Sequence, residues 1–226
     1  DHRYLHSFPT RRSSDLNIPK MVEMTRSVVK EVKLPVTVKT RLGWDQQSKD
    51  IVDIAERLQD TGIAALTIHG RTRCQLYSGK ADWNLIGEVK NNPRMHIPII
   101  GNGDITDGPS AHQALDKYGV DGIMIGRASI GNPWIFAQVS HFIKNGTLLP
   151  LPSIAERADV CLQHIEMSVT WKGEKLTLLE MRKHYSLYFK GINHFKPFRG
   201  RLVTAETIDE VRKIIEEIRC FDFEAR

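Results

Sequence analysis

Apolar positions fall into two rhythms along the chain. In the first part, short apolar runs at 36–41, 64–68, 97–100 and 122–125 are separated by stretches where apolar residues return every three or four positions. Met21, Met24, Val28, Val29 and Val32 make one such stretch, stopped by Leu34-Pro35. Ile51, Ile54, Ala55 and Leu58 make a second within 48–60, residues 83–89 a third, and Ala111, Ala114, Leu115 and Tyr118 a fourth, closed by Gly119. The runs predict strands and the periodic stretches predict helices. Strand, helix and strand in strict alternation require parallel strands joined by crossover helices.

After Pro133 the rhythm becomes helical throughout. The pattern predicts a short helix over 134–144, a Pro-bearing linker over 146–152, and helices over 154–172, 176–193 and 205–220. Ser153 and Glu156 have the spacing of a capping box at the start of the first long helix. The reading is two parts, an α/β part over 17–145 and a helical part over 153–226.

Two of the predicted strands end in polar glycine turns, Gly101-Asn102-Gly103-Asp104 and Gly126-Arg127. Glycine directly after a strand lets backbone N–H groups approach a ligand, and the following helix N-terminus favours an anion. Two such turns in succession match the phosphate site that (β/α)8 barrels build after their last two strands. Four strands are then either the C-terminal half of a TIM (β/α)8 barrel or a small doubly wound sheet, and the irregular N-terminal segment favours the half barrel. Lys39, between Val38 and Thr40, reads equally as a solvated edge position or as a group pointing into a barrel mouth. His69-Gly70-Arg71-Thr72-Arg73 follows a strand, where barrel enzymes keep their chemistry; a structural histidine beside a solvated basic loop fits the same letters.

The net charge of +5 matters only because it is concentrated. Residues 171–201 hold eight Lys or Arg against two Glu. Over 176–194, Leu178, Met181, Tyr185, Tyr188 and Ile192 form an apolar stripe at helical spacing, with Lys183, Lys190 and His194 opposite and Arg182 and His184 flanking. A solvated face and a polyanion-binding face both fit, and the crowding of cations favours the polyanion. Cys74, Cys161 and Cys220 lie far apart, which excludes a zinc or disulfide framework and points to a reducing compartment, the cytoplasm. No apolar run in the sequence is long enough for a bilayer. Residues 1–16 show no periodicity, and residues 6–16 resemble the translation of a sequencing adapter, so they are expected to be foreign and without order.

Six strings in order carry a family resemblance: PVTVKTRLGWD (35–45), LTIHGRTR (66–73), YSGKADW (77–83), PIIGNGDI (98–105), DGIMIGRASIGNPWIF (121–136) and LEMRKHYSLYFKGI (179–192). Together they resemble the bacterial tRNA-dihydrouridine synthases. The resemblance implies a flavin-binding barrel followed by a helical tRNA-binding domain. It places Lys39 and His69 beside the flavin ring system. Asn102, Gly103, Asp104, Gly126 and Arg127 would hold the phosphate of FMN, and Arg71, Arg73, Arg182, Lys183, His184 and Lys190 would meet tRNA. The implied reaction is reduction of the uracil 5,6 double bond, with NADPH as the reductant of the flavin and a cysteine as the acid.

That acid cysteine belongs upstream of Asn17, so the chain as given is expected to be inactive or nearly so and to bind FMN weakly. A monomer without metal or membrane attachment is expected. Two other functions fit part of the pattern: an FMN- or phosphate-binding barrel oxidising or reducing a small metabolite, as in dihydroorotate dehydrogenase relatives, and a non-catalytic RNA-binding module.

Overall fold

A computed structural model describes residues 17–221 and 223. The expectation of a foreign segment over 1–16 lies outside the described residues. The chain divides after Gly126 into a sheet-bearing unit and a helical unit that begins at Arg127. The sequence pattern puts the change of character later, after Pro133.

The sheet-bearing unit opens with α1 (Ile18–Glu31), capped by the Asn17 side chain, which accepts from the Lys20 N–H at 3.0 Å. Then follow β1 (Thr37–Arg41), α2 (Ile51–Gln59), β2 (Ala65–His69), α3 (Asn84–Asn91), β3 (Ile99–Asn102), α4 (Gly108–Tyr118) and β4 (Gly122–Met124). The four strands are parallel and lie in the order β1-β2-β3-β4. A doubly wound sheet reverses its strand order at a switch point. No reversal occurs among these four strands, so the winding is that of consecutive barrel strands.

Packing sets where the strands end. Leu66, Ile68 and Ile99 are wholly buried, and they alternate with residues of the opposite sheet face. Gly101 belongs to this buried row rather than to a turn. A Cβ there would lie 2.1 Å from Cζ3 of Trp83, so the indole occupies the space of a side chain and β3 runs on to Asn102. His69, paired with Arg41 on one side and Asn102 on the other, is the last residue of β2 rather than the first beyond it. Trp83 also stacks on Tyr118, with ring centroids 5.8 Å apart, tying α4 to the strand layer.

The helical unit starts with a 3-10 turn (Arg127–Ser129), then α5 (Ile135–Asn145), α6 (Ile154–Lys172), α7 (Glu174–Tyr188), α8 (Lys196–Thr204) and α9 (Ile208–Cys220). The Ser153–Glu156 capping box forms as the spacing predicts. Ala158, Cys161 and Ile165 of α6, Met181, Tyr185 and Tyr188 of α7, and Val211, Ile215 and Ile218 of α9 share one core. Each large apolar side chain so buried stabilises by about 1.5–3 kcal/mol.

In the helical unit the largest differences from the sequence reading concern α7 and α8. The helix expected over 176–193 ends at Tyr188, so Ile192 and Lys190 leave the stripe and the basic face. Helix α8 falls where the sequence pattern predicts only a connection. Its signals were Pro197 in the first turn and Phe195, Phe198 and Leu202 at helical spacing, all three packed in or against the core.

Candidate functional site

The parallel register brings four strand ends into one line. Arg41 pairs with His69, His69 with Asn102, and Asn102 with Met124; one step back, Lys39 pairs with Thr67. Residues paired across neighbouring strands share a face. Lys39, Arg41, Thr67, His69, Asn102 and Met124 therefore lie on the face opposite the buried Leu66, Ile68 and Ile99. This is the carboxyl edge of a parallel sheet, where such folds bind their ligands. The structure thus brings Lys39, His69, Asn102, Gly103 and Asp104 to the same end of the sheet. Gly126 follows β4 two residues later, exposed, with nothing within 4 Å of where its Cβ would stand.

The loops after β2 and β3 interlock above this edge. Gly103 has φ +133°, and a Cβ there would come 2.6 Å from Cβ of Ala81 and 3.3 Å from Cδ2 of His69. Only glycine fits at such an approach. The Trp83 indole N–H donates to the Gly103 carbonyl at 2.9 Å, and the Gly70 N–H donates to the Asn102 carbonyl at 2.9 Å. Asn102 donates through Nδ2 to the Met124 carbonyl at 2.7 Å, joining the ends of β3 and β4. Asp104 sits at φ +55°, in the left-handed region that non-glycine residues seldom occupy.

Arg71 holds that strained residue. Its guanidinium is 2% exposed and donates through Nη2 to both Asp104 carboxylate oxygens, at 2.8 and 2.7 Å. It also donates through Nη2 to the Gly79 carbonyl at 2.6 Å and through Nε to the Ser78 carbonyl at 3.2 Å. The Ala81 N–H donates to the same carboxylate at 2.8 Å. The RNA-facing role expected of Arg71 does not agree with this placement, because a guanidinium buried and consumed by its own loops has no face to offer a polyanion. The sequence could not show it, since the partner carboxylate is 33 residues away.

His69 is 5% exposed, and its Nε2 lies 3.4 Å from Nη1 of Arg71. Burial, with the charges of Arg41, Lys39 and Arg71 adding to it, lowers its pKa from 6.5 to about 4. The imidazole is therefore neutral at physiological pH, a hydrogen-bonding group rather than a cation. Tyr77 stands 6.4 Å away, ring to ring, in a loop that Arg41 holds by donating to the carbonyls of Thr72 at 2.8 Å and Leu76 at 3.0 Å. Lys39 is pulled below the ordinary lysine range by burial and by Arg41.

The other expected residues divide. Arg73 is exposed in the loop after β2, its N–H donating to the Gly43 carbonyl at 2.9 Å. Arg127 is exposed at the start of the helical unit. Arg182 and Lys183 are exposed on α7. Lys190 is exposed beyond the end of α7, where its carbonyl accepts from Arg157 at 3.0 Å.

His184 is not on the basic face. It packs edge-on against His164 of α6, ring centroids 5.2 Å apart, with Nδ1 buried and lacking a hydrogen-bond partner among the described residues. Burial and the neighbouring His164 and Lys183 keep it below the usual histidine range. Cys161 is buried in the helical core, its thiol pushed up to about 12 by burial, while Cys74 and Cys220 are exposed. Among the described residues no group of three or more His, Cys, Asp or Glu could hold a metal, and no helix is long and apolar enough to cross a membrane.

Comparison with known proteins bears on this edge. The family model for dihydrouridine synthase (Dus) matches residues 16–223. A probable tRNA-dihydrouridine synthase of Rickettsia conorii is 44% identical over 174 residues, 77% of this chain and 52% of that protein. The tRNA-dihydrouridine synthase B of Vibrio cholerae is 38% identical over 205 residues, 90% of this chain and 63% of that protein. The chain spans about half the length of the first of these relatives. Among solved structures, a mandelate oxidase bound to (S)-mandelic acid aligns at 16% identity over 89% of this chain and 67% of that one, with a TM-score of 0.32, too loose a likeness to carry an argument. A match over nearly all of both units, with strings that fall on the carboxyl edge of the sheet, makes the chain a member of the dihydrouridine synthase family.

Proposed function

We propose that this chain carries the flavin-phosphate edge and the RNA-binding helices of a tRNA-dihydrouridine synthase, an enzyme that reduces the 5,6 double bond of uracil in tRNA. The observation that carries the reading is the row formed by Lys39, His69, Asn102 and Gly103 on one sheet face at the strand ends. Gly103 and Gly126 fit FMN for different reasons: a Cβ at Gly103 would press on Ala81 and His69, whereas Gly126 leaves open space after β4. Asn102 and Gly103 would hold the phosphate with turn amides, and Gly126 would add a second turn. Arg127 joins them on the resemblance alone. Asp104 acts one step removed, since its carboxylate is already held by Arg71 and a carboxylate repels phosphate.

Bound FMN would supply the electron pair for the reduction, replenished by NADPH. The chain's own residues set the conditions for it. Lys39 places a cation beside the ring system, where it favours negative charge on the reduced ring. His69, neutral at working pH, offers a hydrogen bond without adding positive charge. Cys161 is buried in the helical core and burial pushes its thiol up, so it is not the acid that protonates the uracil carbon. Arg73, Arg182, Lys183 and Lys190 meet RNA phosphates, and recognition is by shape and backbone charge.

Equilibrium binding of FMN and of tRNA to the purified chain tests the reading. It predicts saturable binding of both, with tRNA affinity falling as salt rises. Replacing Arg182 and Lys183 together with Glu should flatten the log K against log salt slope by about 0.7–0.9 for each phosphate that is no longer neutralised. Flavin binding without tRNA binding would favour the small-metabolite oxidoreductase instead, and salt-sensitive tRNA binding without flavin would favour the RNA-binding module.

A further inference from the structure

Beyond the residues that face a ligand stands one that cannot. The Arg71 guanidinium is 2% exposed, so it touches no flavin and no RNA, yet three segments of the site close on it. It reaches the loop after β2 through the Gly79 and Ser78 carbonyls, the turn after β3 through both Asp104 oxygens, and the end of β2 through His69 Nε2 at 3.4 Å. Asp104 itself is held in a left-handed conformation, φ +55°, directly after Gly103 at φ +133°. A non-glycine residue at positive φ stores strain that the surroundings must hold in place. The planar guanidinium is the feature that does so, because through Nη2 it reaches the carboxylate and the Gly79 carbonyl while Nε holds the Ser78 carbonyl, all in one fixed plane.

We infer that Arg71 is a positioning residue: through Asp104 it fixes the Gly103–Asp104 turn against His69, so that the turn's amides and the imidazole are presented together in one geometry to the phosphate and ring of a flavin nucleotide. The identity of the ligand rests on the function proposed above; the positioning itself does not. Removing the fork leaves the Gly103–Asp104 turn to relax towards ordinary backbone angles. The ring of His69 then loses its fixed neighbour at Nε2. The electrostatic setting agrees, since Arg71 is among the charges that hold His69 neutral and Asp104 opposes them.

Two variants separate geometry from charge. Arg71→Lys keeps the charge and loses the fork; Asp104→Asn keeps the shape and loses the charge that the fork grips, at a site 36% exposed and so tolerant of the change. Circular dichroism of the full chain checks that each variant is folded. The readouts are the titration of the His69 imidazole by NMR and the ratio of FMN to riboflavin affinity by flavin fluorescence.

Both variants are expected to move the His69 titration, Asp104→Asn downwards because a raising charge is lost. Both are expected to lower the preference for FMN over riboflavin by about tenfold, the equivalent of roughly one charge-assisted hydrogen bond. Folded variants whose titration and preference match the parent overturn the inference while leaving the flavin reading intact. If the parent binds no flavin, the flavin reading falls, and the titration alone decides: a shift in Arg71→Lys upholds the positioning role, and an unmoved one overturns it.

Discussion

The two units use the same chemistry in opposite ways, and one pair of arginines shows how. Arg71 in the sheet-bearing unit and Arg201 in the helical unit both grip a carboxylate with two short hydrogen bonds, at 2.8 and 2.7 Å for Asp104 and at 2.6 and 2.7 Å for Glu217. Arg71 is 2% exposed and Arg201 is 48% exposed. A buried pair becomes costly when one partner is removed, because the remaining charge has no water to turn to. An exposed pair is screened and adds little. The helical unit places its apolar residues inside and its charges outside. The sheet-bearing unit keeps cations near its strand ends, where they add to burial in holding a histidine neutral. Charge read from sequence therefore says little until its burial is known: Arg71 turned inward, whereas Arg182 and Lys183 stayed at the surface.

The largest expected effect breaks the helical side of that comparison. Ile215→Ala empties a fully buried position in its core and should lower unfolding free energy by about 2–5 kcal/mol, read from the urea midpoint. A change near zero would mean that α9 does not hold the core together.

Next comes the sheet side. Gly101→Val drives a side chain into the Trp83 ring, where even a Cβ would sit at 2.1 Å, and overpacking of this kind costs about 1–3 kcal/mol. Trp83 fluorescence during thermal unfolding follows it.

Acid sharpens the comparison further. The folded pKa of His69, about 4, lies below its ordinary 6.5, so between these values the unfolded chain takes up a proton that the folded chain refuses. Stability therefore falls as pH drops from 6.5 towards 4 and is flat above 6.5 as far as this residue is concerned. Denaturant midpoints taken at half-unit pH steps measure it; His164 and His184, both held below the usual range mainly by burial, push in the same direction. Smallest of all, Arg201→Met should leave the midpoint unchanged within error, and a large drop there would erase the contrast with Arg71.

Much of this was legible in the letters. Apolar runs and periodic stretches located all four strands and most helices, because burial on one face leaves a period in the sequence. The strand ends were missed by one or two residues, since Gly101 reads as a turn residue until Trp83 is seen to fill its side-chain space. Helix α8 was hidden by Pro197 and Gly200 within nine residues. That His69, Asn102 and Gly103 would stand at strand ends was legible because each ends or follows an apolar run. Arg71 and His184 were misplaced because their environment depends on partners far off in sequence, Asp104 and His164, which no local pattern reveals.

The claim on which everything else turns is that the carboxyl edge of the sheet grips a phosphate. Titrating FMN and riboflavin into the parent chain and into Gly103→Ala, whose Cβ would press to 2.6 Å from Ala81, measures it directly. The account predicts that the parent prefers FMN to riboflavin and that Gly103→Ala loses the preference; equal affinity of the parent for both flavins, or an unchanged preference in the variant, would contradict it.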